Sequence, residues 1–250
     1  MDQDAIIWVR GLTAAYGDDV ILKDVSFNVK RGEVFVILGG SGCGKSTLLK
    51  HMIGLYPLAS GEVLIEGGNL ATAAGTDRLR ILRRFGVAYQ SGALFGSMTL
   101  SENITLPIEE FTRLPVEARD VISWMKLKLV GLEGFGDHLP AEVSGGMQKR
   151  AAIARAMALD PAVLFLDEPS AGLDPVTSAE IDALILSLRE GLGMTFVIVT
   201  HELPSIYTVA DRVIMLDRRK KGIIAEGRPQ DLRDHSEDPY VRRFFRREPE

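Results

Sequence analysis

The sequence predicts an α/β protein with a mainly parallel core sheet and a helical block inserted into it. Three observations carry this. Val34–Leu38, Val163–Leu166 and Phe196–Val199 are short, continuously apolar runs, the pattern of strands buried on both faces of a parallel sheet. A helical stretch over 176–192 lies between the second and third runs, giving strand–helix–strand. From about Ser91 to Ala158 the strand signals disappear, which divides the chain into two lobes.

In order along the chain, Ile6–Val9 and Ser26–Val29 read as strands around a turn at Gly17-Asp18-Asp19. The strand Val34–Leu38 runs into a glycine-rich loop and then a helix beginning Thr47-Leu48-Leu49. Gly61–Gly67 alternates between glycine boundaries and is a short strand; residues 77–84 are helical; Phe85–Tyr89 is a further strand. Residues 116–132 form a helix by the spacing of Val121, Ile122, Met125, Leu129 and Leu132, with Pro115 at its favoured starting position. An Ala-rich helix follows over 145–159. The tail from about His235 is charged and ends in an Arg-Arg-Phe-Phe-Arg-Arg run.

Composition excludes several classes. The 250 residues are 46% hydrophobic and 25% charged, an ordinary globular balance, and the formal net charge of -5 argues against a nucleic-acid scaffold. No apolar run approaches the roughly 20 residues needed to span a bilayer, and the acidic start Met1-Asp2-Gln3-Asp4 is unlike a secretory leader. The one cysteine, Cys43, has no partner for an internal disulfide, as expected in a reducing compartment. Two readings of Cys43 stand: a thiol whose pKa is lowered at a helix N-terminus and so is redox-sensitive, or a small residue filling a variable loop position.

The loop itself is Gly39-Gly40-Ser41-Gly42-Cys43-Gly44-Lys45-Ser46, which fits the P-loop pattern G-x-x-x-x-G-K-[ST] in its required strand–loop–helix setting. Glycines let backbone N–H groups, continuing into Thr47, curl around phosphate oxygens, and the helix N-terminus adds a favourable dipole. Lys45 reaches the β- and γ-phosphates and the Ser46 hydroxyl binds Mg²⁺. The other half of a hydrolytic site is Val163-Leu164-Phe165-Leu166-Asp167-Glu168: four apolar residues bury a strand and deliver two carboxylates at its C-terminal end, where ligands bind in open α/β sheets. Asp167 suits Mg²⁺ in the manner of a Walker B aspartate, and Glu168 is placed to polarise an attacking water.

Val143-Ser144-Gly145-Gly146-Met147-Gln148-Lys149-Arg150 resembles the L-S-G-G-Q signature of ABC-type ATPases, with Val143 at the leucine and Met147 at the glutamine. The resemblance extends over about residues 6–230. It implies a P-loop NTPase of ABC type: a mainly parallel core sheet with an antiparallel β subdomain and an inserted helical subdomain. The corresponding division is residues 1–90 and 159–234 for the ATP-binding core, 91–158 for the helical subdomain with the signature, and 235–250 for a short tail. Tyr16 resembles the A-loop aromatic that stacks on adenine, a core aromatic being the other reading. Gln90 resembles the Q-loop glutamine, which touches Mg²⁺ or water. Ser170-Ala171-Gly172-Leu173-Asp174 resembles the D-loop, and His201 the switch histidine that contacts the γ-phosphate. The resemblance further implies a homodimer, each ATP lying between the P-loop of one copy and Ser144-Gly145-Gly146 of the other.

The segment Gln90-Ser91-Gly92-Ala93-Leu94-Phe95, with Leu106-Pro107, Arg113-Leu114-Pro115 and Trp124–Leu132, is similar to the ATPase of bacterial Mla phospholipid transporters. That similarity implies an MlaE-like integral membrane permease, an MCE-type lipid-binding subunit reached indirectly, a small accessory regulatory subunit, no nucleic acid, and a peripheral position on the cytoplasmic side of the bacterial inner membrane. Another ABC transporter ATPase and a soluble ABC ATPase, such as an iron–sulfur assembly type, are the alternatives. For the tail two roles arise: docking on the opposite subunit through Tyr240, Phe244 and Phe245, or contact of Arg242, Arg243, Arg246 and Arg247 with anionic headgroups; a partly disordered charged end is the plain reading.

Overall fold

A computed structural model describes residues 4–248. The chain divides into two compact units, one running up to Ile81 and resuming at Thr195, the other spanning Leu82–Met194.

In the first unit, β1 (Ala5–Tyr16) and β2 (Asp19–Lys30) form a long hairpin, β4 (Ser60–Ile65) pairs antiparallel with β1, and β5 (Gly68–Asn69) completes an antiparallel sheet in the order β2-β1-β4-β5. Both hairpin strands extend well past the four-residue runs expected from sequence, because irregularities at Val9/Leu12 and Leu12/Ala14 interrupt strict alternation without ending the pairing. The second set of strands centres on β3 (Val34–Gly39), in which every residue is buried. It is flanked in parallel by β8 (Thr195–Val199) and β9 (Arg212–Asp217), and β10 (Gly222–Gly227) returns antiparallel on β9. The helix α1 (Lys45–Met52) follows β3 directly and buries Leu48, Leu49 and Met52; α2 (Gly75–Leu82) closes this part of the chain.

In the second unit β6 (Phe85–Ala88) and β7 (Val163–Asp167) pair in parallel, Phe85 opposite Val163 and Ala88 opposite Leu166. The same unit carries the helices α3 (Leu100–Phe111), α4 (Val116–Leu129), α5 (Gly145–Ala156) and α6 (Pro175–Leu192). The α/β class stands, with parallel strands, an antiparallel subdomain and a strand-free helical stretch among residues 91–158.

The helix α4 forms where its apolar spacing predicts, with Leu132 just beyond it buried, but much of its apolar surface is open. Val121, Trp124, Met125 and Leu129 are 41–57% exposed, and the buried face is Ser123, Lys126 and Leu127. On the buried face polar side chains are paired: Ser123 Oγ lies 2.8 Å from Ser101 Oγ, and Lys126 reaches the exposed Asp160.

The tail is a further correction. After α7 (Leu203–Val209) and α8 (Pro229–His235), residues of the charged end form α9 (Pro239–Arg246), with Val241 and Phe245 buried against their own unit. Tyr207 Oη donates to the Phe245 carbonyl at 2.9 Å, and the two rings meet edge-on at 6.2 Å. Phe245 is therefore core, neither a free docking residue nor part of a disordered end. Phe245→Ala is expected to cost about 3–5 kcal/mol, lowering the melting temperature by roughly 6–20 °C in scanning calorimetry; an unchanged melting temperature would contradict this packing.

Candidate active site

The P-loop is built by β3 and α1. Gly39 ends the strand at φ 148, and a Cβ there would fall 2.4 Å from the Leu216 carbonyl oxygen and 2.6 Å from Cys43 Sγ, so only glycine fits. Gly44 is the N-cap of α1 in the left-handed conformation, with no side-chain cap and no acidic residue in the first turn. The first N–H groups of α1 have no intrahelical acceptor, and the helix dipole makes the loop electropositive. Lys45 Nζ folds back over the loop, donating to the Gly39 carbonyl at 2.8 Å and the Gly40 carbonyl at 3.2 Å. Cys43 departs from the redox-sensitive reading. It is 2% exposed, and burial pushes its thiol up despite the opposing pull of the Lys45 ammonium.

Two other predicted residues share this unit. Tyr16 stands at the end of β1 with 46% of its surface exposed, which removes the core-aromatic reading; its ring edge meets Tyr56 at 5.7 Å and His51 at 6.3 Å. His201 follows β8, the parallel neighbour of β3, whose Val199 lies opposite Ile37. The P-loop and the histidine therefore leave the C-terminal ends of adjacent strands, the place where α/β sheets bind ligands.

The second unit repeats that arrangement. β6 delivers Gln90 and β7 delivers Asp167 and Glu168 from neighbouring parallel strand ends. Lys149 of α5 joins them, donating through Nζ to the Gln90 carbonyl and to the Glu168 carbonyl at 3.3 Å. Asp167 and Glu168 are each 8% exposed, and Glu168 sits at φ 48, a conformation that side chains rarely adopt. Near this group burial pushes the Tyr89 phenol up and pulls the Arg155 guanidinium down.

The signature segment opens α5. Ser144 is its N-cap, accepting the Met147 N–H at 3.2 Å, so the Met that replaces the usual glutamine still contributes a backbone donor. A Cβ on Gly146 would strike Thr177 Cγ2 at 2.4 Å, and Gly145 faces Leu173. The signature therefore packs on the segment that carries Asp174. Asp174 caps α6 through bonds from Val176 and Thr177, and the Thr177 hydroxyl bond holds its carboxyl below the usual range.

Among the described residues no group of three or more His, Cys, Asp and Glu side chains forms a cage for a metal. Within the second unit, the Asp167 carboxylate and the Gln90 amide are oxygen donors of the kind that suits Mg²⁺ carried by a nucleotide, since Mg²⁺ favours one or two carboxylates plus phosphate oxygens over an all-protein site.

Sequence reading missed the clamps. Arg155 donates to the Ala93 and Gly92 carbonyls at 2.7 and 3.0 Å. Asn103, fully buried, accepts the Phe95 N–H at 2.8 Å and donates to the Phe95, Met98 and Thr99 carbonyls. Together they fix the loop after Gln90, including Ala93 at φ 49. Phe95, 51% exposed, then borders a groove of about 340 Å³ lined also by Phe85, Leu106, Pro107, Phe111 and Arg155.

Comparison with known proteins agrees with this geometry. The family model described as ABC transporter matches residues 22–171. A protein of Mycobacterium leprae (strain TN) named probable ribonucleotide transport ATP-binding protein mkl is 42% identical over 246 residues, 98% of this chain and 70% of that protein. The intermembrane phospholipid transport system ATP-binding protein MlaF of Haemophilus influenzae is 38% identical over 243 residues, 97% of this chain and 91% of that protein. The dimeric post-hydrolysis state of the ATP-binding cassette MJ0796, bound to ADP and Pi, superposes with a TM-score of 0.80 at 33% identity, covering 89% of this chain and 98% of that one.

Proposed function

This chain belongs to the ABC transporter ATPase family, and from that premise we propose that it powers the movement of phospholipids between inner and outer membranes through an integral membrane permease. ATP with Mg²⁺ is the family's fuel. The P-loop backbone and Lys45 hold the phosphates, Ser46, Asp167 and Gln90 serve the metal, and Tyr16 takes the adenine. Glu168 polarises the water that attacks the γ-phosphorus as ADP leaves, and His201 holds the γ-phosphate. When bound, Mg²⁺ would supply charge neutralisation to the phosphates. Ser144, Gly145, Gly146 and Asp174 serve the second copy of a homodimer. The functional division remains 1–90 with 159–234 for ATP, 91–158 for coupling and 235–250 for the tail.

The observation that carries the transport reading is the groove beside Phe95. Its lining is mainly apolar, and Arg155 and Asn103 fix the loop that carries Phe95 to it, the kind of surface that receives a helix. An MlaE-like permease helix is its occupant, with an MCE-type subunit attached through the permease. The exposed Val121, Trp124, Met125 and Leu129 of α4 are the surface for a small accessory subunit. No described helix is long and apolar enough to cross a membrane, and the chain works peripherally at the cytoplasmic face of the inner membrane. The name of the Mycobacterium leprae relative favours a second reading, the ATPase of a ribonucleotide transporter.

Mass spectrometry of what co-purifies from detergent-solubilised membranes separates these readings. A permease with an MCE-type subunit and phospholipid supports the first; a permease with nucleotide and no lipid supports the second; a soluble assembly alone sinks both. Phe95→Asp is expected to reduce recovered permease about thirtyfold, the weight of a ~2 kcal/mol interface anchor, with ATP binding retained. Undiminished recovery would remove the groove from the interface.

A further inference from the structure

The turn between β9 and β10 carries four successive cations, Arg218, Arg219, Lys220 and Lys221, on a chain whose net charge is -5. Lys221 turns towards Asp19 at 3.8 Å. The side chains of the other three are exposed and have no hydrogen-bond or ion-pair partner among the described residues. They share a cleft of about 530 Å³ with Tyr240 and Arg243 of α9. The Nε of Arg243 is buried and has no acceptor among the described residues, although buried donors of this kind nearly always have one. The two carboxylates in the lining are already engaged with backbone. Asp217 accepts the N–H groups of Arg219 and Lys220, both at 2.8 Å, and Asp238 caps α9 by accepting the Tyr240 N–H at 2.8 Å. Four cations against two carboxylates leave the cleft with an excess of two positive charges.

We propose that this cleft is a second anion site, built for a phosphate-bearing ligand and separate from the P-loop cradle. None of residues 39–47 lines it. Three guanidinium groups offer the planar forks that match phosphate oxygens, and the volume lies in the range of small-molecule sites. An anion there relieves the crowding of like charges in the turn. One wall residue also approaches the nucleotide loop: the Tyr240 hydroxyl lies 3.3 Å from where a Cβ would stand on Gly40. A ligand joining the turn to α9 thereby bears on the P-loop through Tyr240. A soluble phosphate compound and an anionic lipid headgroup present the same chemistry.

The test titrates inorganic pyrophosphate into the full chain carrying Lys45→Ala, which weakens the P-loop's own phosphate contacts. One equivalent is expected to bind. Adding Arg218→Gln, Arg219→Gln and Lys220→Gln is expected to weaken it at least about tenfold. Arg243→Gln alone gives an independent reading should the triple variant melt early. Flotation with phosphatidylglycerol vesicles, against phosphatidylcholine vesicles, identifies the source. Retention that disappears in the substituted chain indicates a lipid headgroup, and pyrophosphate binding without retention indicates a soluble phosphate compound. Neither pyrophosphate binding nor retention, or binding indifferent to all four substitutions, overturns the proposal. So does binding of polyglutamate alone, which would make the cleft a seat for an acidic protein segment.

Discussion

Glu168→Gln is expected to bind ATP and hydrolyse it about 10²–10⁴-fold more slowly than the parent, the usual contribution of a positioned general base. The substitution preserves size and hydrogen-bonding shape, so what it removes is a charge that can take a proton from water. The surroundings favour that reading. Glu168 leaves a fully buried strand, is itself 8% exposed, and holds φ 48. Such a conformation costs on the order of 1–3 kcal/mol and persists where neighbours over-determine it. Here they are Lys149 Nζ and the Ala171 N–H, both donating to the Glu168 carbonyl, at 3.3 and 3.2 Å. With hydrolysis slowed and ATP bound, the closed pair of a homodimer should accumulate. Single-turnover hydrolysis with size-exclusion chromatography in ATP reads both effects. Turnover at the parent rate would show that Glu168 is not the base.

What the sequence made legible divides along physical lines. The strands β3, β7 and β8 were visible because burial on both faces leaves a continuous apolar run that needs no partner to be recognised. The P-loop was visible because its glycines answer to local backbone geometry, as Gly39 shows. The helix α3 carried a readable sign in the reciprocal bonds of Thr99 and Glu102, an N-terminal capping box that the expected element list did not use. The edge strand β10, only half-buried along its length, gave no comparable run.

The failures are long-range. The helix α4 was legible, but not that Ser123 and Lys126 on its buried face pair with Ser101 and Asp160, 22 and 34 residues away. Lys149, quoted only as part of the signature segment, joins two strand ends whose residues lie 59 and 19 positions away. The grip of Arg155 on the Gly92 and Ala93 carbonyls, 63 and 62 positions away, is likewise a tertiary fact. In the tail, Phe245 had no visible partner until Tyr207, 38 residues earlier, supplied a ring and a hydroxyl. Periodicity reports which residues are apolar; it does not report which polar residues find each other.

Lys45→Ala is the substitution expected to affect the nucleotide most directly. In the structure the Lys45 ammonium is parked on the Gly39 and Gly40 carbonyls at 2.8 and 3.2 Å, spanning the mouth of the loop. Phosphate binding exchanges neutral carbonyl acceptors for charged oxygens, so the gain is that of charge-assisted bonds. Two such bonds at about 1.5–3 kcal/mol each correspond to a loss of roughly 10²–10⁴ in ATP affinity when the ammonium is removed. The fold should be spared, because α1 is anchored by Leu48, Leu49 and Met52 rather than by Lys45. Lys45→Arg should fail as well, since a planar fork cannot replace a compact ammonium between two carbonyls this close. Equilibrium ATP binding with thermal melting separates the outcomes. Weak binding with an intact melting temperature assigns Lys45 to the phosphates. Full binding and turnover would remove the P-loop from the chemistry and with it the ATPase site proposed for this chain.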